Sequence, residues 1–269
     1  MCCFSVPTPT SFWQRLFAPK IHVSATNIFA RMAAPGVQAL AYGMNLTSAR
    51  EVAMILPLPV RPNAGESAVR FIDLQKHPRL FEDLASLFDI GPPQAKAHLY
   101  RFAGAKPTLT VHKVGSFIAS YVPTRGDFDR LDPRFRLPSV LFDAVPAYAA
   151  YGFAVFQLEK GSVTVHPMAL TFPTSEIERL FFPTVHLHDG RFHPSAQFDH
   201  TLYYQHPRVR QQGGTFEGDV SSYLMPQSGY EGVVDKARPV LRRTLTGTLP
   251  NQDTWLTTGR PITVSPSRP

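Results

Sequence analysis

The chain has 269 residues and a formal net charge of +7; 43% of its residues are hydrophobic and 17% are charged. This composition predicts a compact globular protein with enough chain to bury a sizeable core. No apolar run reaches the roughly 18 residues that a membrane span needs, so we expect none. The basic residues are scattered and no nucleic-acid-binding motif occurs, which argues against a nucleic-acid partner.

The two cysteines of the chain, Cys2 and Cys3, are adjacent. Neighbouring cysteines rarely pair, because the ring that they would close is strained, so a disulfide framework within one chain is excluded. The N-terminus also lacks the basic and apolar regions of a secretory signal. We therefore expect a cytoplasmic protein, in a reducing compartment.

Alternating and continuous apolar patterns predict strands along most of the chain. The predicted strands cover 21–32, 37–46, 52–58, 69–74, 109–122, 151–158, 163–172, 198–205 and 240–249. The clearest helix is predicted over 78–88, where one face is apolar, while 124–138 is typical of a charged loop. A capping box over 175–178 predicts one or two further helical turns. The fold class is therefore α+β and β-rich, with mostly antiparallel strands and a few short helices.

The chain is predicted to form one core domain over 1–206 and an extension over 207–269 that packs on it. Residues 39–60 align without a gap to residues 153–174, at an offset of 114 residues. Four positions are identical in this alignment, namely Ser48/Ser162, Met54/Met168, Leu56/Leu170 and Pro59/Pro173. We interpret the two segments as copies of one β-hairpin unit, related by an internal duplication.

The first third of the chain combines Cys2-Cys3-Phe4-Ser5, the strand pair over 21–46 and the apolar strand Ala53-Met54-Ile55-Leu56-Pro57-Leu58-Pro59. This order of features resembles an uncharacterised bacterial family of domains of unknown function. In that family, a cysteine near the mature N-terminus precedes a strand pair and a similar apolar strand. The resemblance implies a β-rich fold and no particular activity.

The most informative chemical feature is a histidine-rich segment around Asp189-Gly190, the dipeptide that a two-residue β-hairpin turn prefers. Counting outward from this turn places His186 opposite His193. Side chains alternate along a strand, so the histidines at 186, 188 and 193 are expected on one face. Three imidazoles on one face predict a metal site.

Imidazole is a common ligand of zinc and copper, and we expect one of these two metals. The predicted ligands are His186, His188 and His193, with His200 and Asp199 as additional ligands or as partners that orient the imidazoles. Such a site would bind a metal and, with an open coordination position, would support a metal-dependent enzyme. No glycine-rich nucleotide-binding motif occurs, so no nucleotide cofactor is expected.

Two alternatives remain open. The first is a non-catalytic binding or structural module for an unknown protein or small molecule, which predicts an exposed apolar patch. The second is an N-terminal cysteine hydrolase, in which removal of Met1 would expose Cys2 as the nucleophile. The polar stretch 251–255 is interpreted either as the lining of a pocket or as a turn.

Overall fold

The structure is a computed structural model. It describes residues 3–5, 22–48, 51–89, 112–114, 117–132, 140–158, 161–187, 191–206, 215–216 and 219–257. These ranges are β-rich, with mostly antiparallel strands and few helices, which confirms the predicted fold class at this level. In this part of the chain, no helix has both the length and the apolar character needed to cross a membrane.

Fifteen strands are described. They are β1 (Cys3–Ser5), β2 (His22–Ala34), β3 (Val37–Ser48), β4 (Val52–Leu58), β5 (Arg70–Ile72), β6 (His112–Val114), β7 (Phe117–Val122), β8 (Gly152–Leu158), β9 (Gly161–Pro173), β10 (Arg179–Phe182), β11 (Ser195–Gln205), β12 (Thr215–Phe216), β13 (Asp219–Ser221), β14 (Leu241–Pro250) and β15 (Thr254–Thr257). The described helices are α1 (Leu80–Ser86), α2 (Val140–Ala144) and two 3₁₀ helices, Arg125–Arg130 and Pro146–Ala150.

The strands form three sheets. An eight-stranded sheet has the order β12-β13-β14-β11-β2-β3-β9-β5, a five-stranded sheet has the order β1-β4-β8-β7-β6, and β10 pairs with β15. Among the described strand pairs, β11 and β2 are parallel, and the others are antiparallel. Strands β13 and β14 therefore extend the eight-stranded sheet, and β15 pairs with the earlier strand β10.

The main core lies between the two large sheets. Alternate residues of β2 and β3 face it, including Ile28, Leu40 and Tyr42, and they meet Met54 and Phe156 of the five-stranded sheet. All five are buried. Complete burial of an aliphatic or aromatic side chain contributes about 1.5–3 kcal/mol, so this interface is the main source of stability.

Helix α1 covers the outer face of the eight-stranded sheet. Its buried Leu80 and Leu84 pack in one cluster with Phe29 and Tyr203 of the sheet. Gly43 permits this close approach, since a Cβ atom there would lie 2.6 Å from the ring of Phe81. The apolar helix face predicted over 78–88 is thus the face that contacts the sheet.

The outer face of the five-stranded sheet is covered by short helices. Phe128 of the first 3₁₀ helix and Phe142 of α2 pack edge-to-face on Phe153 of β8, with ring centroids 5.0 and 5.8 Å apart. Val185 from the segment after β10 joins the same cluster. The molecule therefore has two sheets at its centre and an irregular layer on each side.

Two local predictions are wrong. Residues 124–138 contain a 3₁₀ helix rather than only loop. The capping box does not open a helix, because Thr174 binds the main chain of Glu176 through its hydroxyl group, and β10 begins at Arg179. A side chain that bonds its own neighbouring main chain competes with helix formation, and here that competition prevails.

Candidate functional site

Two of the predicted site residues, His186 and His200, meet at strand β11 of the eight-stranded sheet. Strand β11 carries Phe198, Asp199 and His200, and the side chain of His200 is completely buried. His200 lies opposite Thr26 of β2 and opposite Leu245 of β14. It therefore occupies a central strand, with a neighbour on each side.

The ring of His186 packs on this strand from the segment that follows β10. Its centroid lies 4.4 Å from that of Phe198 and 5.0 Å from that of His200, and the two imidazole planes differ by 27°. The structure thus joins two predicted ligands, His186 and His200, from different elements. Phe198 completes a cluster of three rings at the end of the main core.

The predicted histidine hairpin is not found in the described residues of this segment. Strand β10 ends at Phe182 and β11 begins at Ser195, and neither 183–186 nor 191–194 is in a strand. His188, Asp189 and Gly190 lie outside the described residues. The predicted cross-strand pairing of His186 with His193 is therefore wrong.

Asn251 connects the two segments in place of a β-ladder. Its Nδ2 donates to the carbonyl oxygens of His186 and His193, each over 2.9 Å, and its Oδ1 accepts the N–H of His186 over 2.7 Å. Asn251 is buried, whereas His193 is exposed. One amide side chain therefore fixes the main chain at both histidines, while the His193 side chain stays at the surface.

Asp253 holds the residues just before His186. Its Oδ1 accepts the N–H groups of Thr184 and Val185 over 2.9 and 3.2 Å, and its Oδ2 accepts the hydroxyl of Tyr148 over 2.8 Å. Burial among these groups raises the pKa of the Asp253 carboxyl to about 6, although the hydrogen bonds favour the ionised form. The side chains of Asn251 and Asp253 in the 251–253 turn thus hold the main chain of residues 184–186 by hydrogen bonds.

Asp199, a predicted ligand, contacts the main chain instead. Its Oδ2 accepts the N–H of Ala25 over 2.8 Å, and Ala25 has a left-handed backbone with φ of 52°. Its Oδ1 lies 3.6 Å from Nδ1 of His200, and its N–H donates to the same nitrogen over 3.3 Å. Asp199 therefore orients the imidazole of His200 and holds Ala25, rather than joining a ligand set.

A buried hydroxyl lies on the strand next to His200, since Thr26 of β2 pairs with His200. The Oγ1 of Thr26 is buried and has no hydrogen-bond partner among the described residues. Buried polar atoms are nearly always hydrogen-bonded in native proteins, by protein groups, water or ligands. The end of the core at His186, His200 and Thr26, which we call the polar core end, is therefore a place where a small polar ligand would be stabilised.

The predicted metal set is not assembled as a whole. Within the described ranges, no group of three or more histidine, cysteine, aspartate or glutamate side chains could hold a metal ion. The structure brings together His186 and His200, leaves His193 exposed, and does not describe His188.

The residues behind the alternative hypotheses have separate locations. Cys2 lies outside the described residues, and the next residues form β1, which pairs with β4 at an edge of the five-stranded sheet. Apolar surface occurs near the end of α1, where Tyr223 and Leu224 are 42% and 54% exposed. Both donate their N–H groups to the carbonyl of Leu87. The binding-module hypothesis predicts such surface, and it stays a prediction.

The sequence did not single out Asn251 and Asp253 as organisers of the site. The signal available is their position in the polar stretch 251–255, a pattern that predicts either the lining of a pocket or a turn. The structure shows a turn at 251–253, and the side chains of Asn251 and Asp253 reach residues 58 to 105 positions away in the chain. No local pattern identifies such distant main-chain partners.

Comparison with known proteins shows only distant likeness. No protein-family model matches the chain, and no curated protein matches it. The crystal structure of baculovirus P35 is similar, with a TM-score of 0.44 and 12% identity over 91% of this chain and 99% of that one. P35 from its complex with caspase-8 gives the same score and identity, over 87% and 96% of the two chains. At this distance the likeness supports no statement about function.

Proposed function

We propose that this protein binds a transition-metal ion, zinc or copper, through the imidazoles of His186 and His200. The observation that carries the proposal is the pairing of these two rings at the polar core end. Zn–N bonds of about 2.0–2.1 Å and a tetrahedral angle place two imidazole centroids roughly 5 Å apart. The centroids of the two rings lie 5.0 Å apart, and the ring planes differ by 27°.

The surroundings of the pair support a ligand role. Nδ1 of His200 accepts the Asp199 N–H over 3.3 Å, so binding through Nε2 would require the ring proton to move to Nδ1 and this hydrogen bond to give way to one with Asp199 Oδ1, which lies 3.6 Å away. A carboxylate behind a metal-bound histidine fixes the tautomer and raises the basicity of the ligand. The Thr26 hydroxyl would bind a water molecule in the remaining coordination shell. Two protein ligands plus water leave coordination positions open.

Borderline divalent ions suit this donor set. Neutral imidazole binds zinc and copper strongly, whereas magnesium and calcium prefer oxygen ligands. A site with open coordination positions would permit hydrolysis with zinc or electron transfer with copper. We propose metal binding alone. The chemistry follows from which metal the protein retains.

The test is metal analysis of untagged protein together with titration by Zn²⁺ and Cu²⁺. The wild type should bind about one ion per chain, and both His186→Ala and His200→Phe should lose that ion. His77→Ala is the matched control, since His77 pairs with Glu231 in the layer beside α1. Near-UV circular dichroism would confirm that each variant is folded.

A further pair of variants separates this proposal from the hairpin hypothesis. His193→Ala should retain the metal, because the His193 side chain is exposed. His188→Ala tests the predicted ligand outside the described residues. Wild-type protein without metal after metal-replete expression would overturn the proposal. Equal metal content in folded His186→Ala and wild type would do so too.

We also propose that residues 39–60 and 153–174 are copies of one duplicated unit. An offset of 114 residues places Leu40 on Ala154 and Leu56 on Leu170. Leu40 pairs with Leu170 in the eight-stranded sheet, and Leu56 pairs with Ala154 in the five-stranded sheet. The same offset therefore relates one strand pair to the other. In a crystal structure, a rotation should superpose β3–β9 on β8–β4, and failure to match both pairs would contradict the duplication.

A further inference from the structure

Strand β14 pairs with other strands along one side only for most of its length. On one side, β11 pairs with it from Leu241 to Pro250. On the other side, β13 pairs with it only at Leu241 and Arg242. Among the described strands, none covers residues 244–250 on that second side. We call this side of residues 244–250 the β14 edge.

The register with β13 shows which main-chain groups point to the β14 edge. Ser222 donates its N–H to the carbonyl of Val240 over 2.7 Å, so even-numbered residues of this strand direct their N–H and C=O groups away from β11. The three threonines Thr244, Thr246 and Thr248 share this direction, because the register with β11 has no shift. Their main-chain donors and acceptors therefore face outward, where a further strand would pair with them.

The β14 edge lacks most of the features that usually protect an exposed strand. Natural edge strands are short, or carry charged residues, proline or a bulge. Residues 244–249 have the sequence Thr-Leu-Thr-Gly-Thr-Leu, without charge or proline, and the left-handed Gly247 causes no register shift. By contrast, the part of β9 beyond its pairing with β5 contains Pro167 and a register shift against β3. The β14 edge is therefore the one that favours strand addition.

The side chains of the β14 edge are complementary to those of a second copy. When two copies pair antiparallel about a twofold axis at Gly247, Thr246 lies opposite Thr248 of the second copy. Leu245 then lies opposite Leu249 of the second copy. The threonines are exposed and the leucines half-buried, so hydroxyl groups meet on one face and aliphatic groups on the other. At the axis itself, the missing side chain of glycine permits the close approach of a non-hydrogen-bonded pair.

The two ends of the β14 edge are compatible with this pairing. Arg243 lies opposite Asn251 of the second copy, so no like charges face each other, and its own charge is paired with Asp219, Nε to Oδ1 over 2.6 Å. The chain leaves the edge after Pro250, since Asn251 donates its N–H to the carbonyl of Pro194 on the β11 side. The second copy therefore ends its strand before it reaches β13.

We infer that the β14 edge is a dimer interface, at which the β14 strands of two copies pair antiparallel and join two eight-stranded sheets into one. The inference is independent of the proposed metal site. Pairing of about seven residues per copy buries less surface than the roughly 1,200–2,000 Å² of a stable complex, so the dissociation constant should be on the order of micromolar or higher.

The test is sedimentation velocity of the full untagged chain over a series of concentrations. The wild type should shift from monomer to dimer as its concentration rises. Thr246→Lys places a charge at the edge and should weaken the dimer at least about 10-fold. Thr246→Pro removes an N–H that faces the edge and leaves the pairing with β11 intact, so it should abolish the dimer. Thr257→Lys, at an exposed position of β15, is the matched control and should dimerise like the wild type.

Hydrogen exchange identifies the surface that pairs. The amides of Thr244, Thr246 and Thr248 should exchange fast in dilute protein and slowly at concentrations that favour the dimer. A wild type that stays monomeric at its highest soluble concentration would overturn the inference, and so would a dimer that folded Thr246→Lys leaves unchanged. Slow exchange of these amides in a monomer would show that another part of the same chain covers the edge, which also overturns it. Where Thr246→Pro does not fold, Thr246→Lys decides the question.

Discussion

Two irregular segments, 183–187 and 229–234, cover opposite sides of the sheet pair and are anchored by different chemistry. The first offers main-chain N–H groups to the oxygens of Asn251 and Asp253. The second offers the carbonyls of Gly232 and Val233 to the guanidinium of Arg31, over 2.6 and 2.7 Å.

The two segments also differ in backbone strain. Tyr230, Glu231 and Gly232 form three consecutive left-handed residues, with φ angles of 47°, 55° and 86°. Non-glycine residues adopt this conformation at a cost, so the Arg31 bonds must offset it. The segment at 183–187 has no left-handed residue. The carboxyl of Asp253, which can titrate, thus holds the unstrained backbone of 183–187. The guanidinium of Arg31, which stays charged, holds the strained backbone of 229–234.

The largest expected effect comes from removing the carboxyl of the first segment. Asp253→Ala deprives the Tyr148 hydroxyl and the N–H groups of Thr184 and Val185 of their acceptor. Leaving a buried donor unsatisfied costs about 1–3 kcal/mol, so the free energy of unfolding should fall by at least about 3 kcal/mol at pH 7. Urea denaturation measures this fall. Asp253→Asn keeps one acceptor oxygen and should lose clearly less; an equal loss would contradict the role of the hydrogen bonds.

The pH dependence of stability should distinguish the two anchors. Burial raises the pKa of Asp253 from its usual 3.8 to about 6, so the folded protein binds this proton more tightly than the unfolded chain. The Asp253 contribution to the free energy of unfolding should therefore fall as pH rises from about 4 to about 6, by an amount on the order of 2 kcal/mol.

The measurement is urea denaturation at several pH values for the wild type and Asp253→Asn. Subtracting the two profiles removes the contribution of other groups, including the buried His166, whose pKa is lowered by burial. The difference should decline from about pH 4 through pH 6 and be flat above about pH 7. Arg31→Ala, by contrast, should shift the whole profile without changing its shape. A flat difference profile for Asp253→Asn would show that its carboxyl does not titrate in this window.

Arg31→Ala should have the next largest effect. The Arg31 side chain is half-buried, and two of its three carbonyl acceptors, Gly232 and Val233, belong to the strained segment. Hydrogen bonds to charged groups contribute about 1.5–3 kcal/mol each at most, and water replaces part of the loss at this surface, so we expect about 2 kcal/mol. The exposed Arg70 is the matched control. Equal urea midpoints for Arg31→Ala and Arg70→Ala would show that the turn does not need the cation.

The core strands show what sequence patterns can predict. The strands predicted over 37–46, 52–58 and 151–158 correspond closely to β3, β4 and β8, because each buries its own apolar residues in the core. The spacing of apolar residues along a strand indicates which side chains the core will bury. The core of the molecule was therefore predictable without knowledge of the partner strands.

The candidate site was predictable only in part. The Asp189-Gly190 turn signal predicts a hairpin, whereas no local pattern marks the distant Asn251, which bonds the main chain that a hairpin ladder would have used. The sequence pattern gives His200 only a secondary role, although its place in a central strand makes it the better fixed of the two proposed ligands. The left-handed turn at 230–232 has one glycine and two residues that usually avoid positive φ, so no pattern indicated it.

The smallest effect expected is a gain in stability from relieving strain in the second segment. Glu231 has φ of 55° and its carboxylate lies 3.2 Å from His77, with more than half of the Glu231 side chain exposed. Glycine adopts this backbone without steric cost, and exposed ion pairs contribute little, so Glu231→Gly should raise the free energy of unfolding by about 0.5–1 kcal/mol. Glu231→Ala loses the same carboxylate but keeps the strain, so it should be less stable than Glu231→Gly by about 1 kcal/mol. Equal urea midpoints for the two variants would mean that the turn relaxes without glycine, and the contrast between strained and relaxed anchoring would then rest on Arg31 alone.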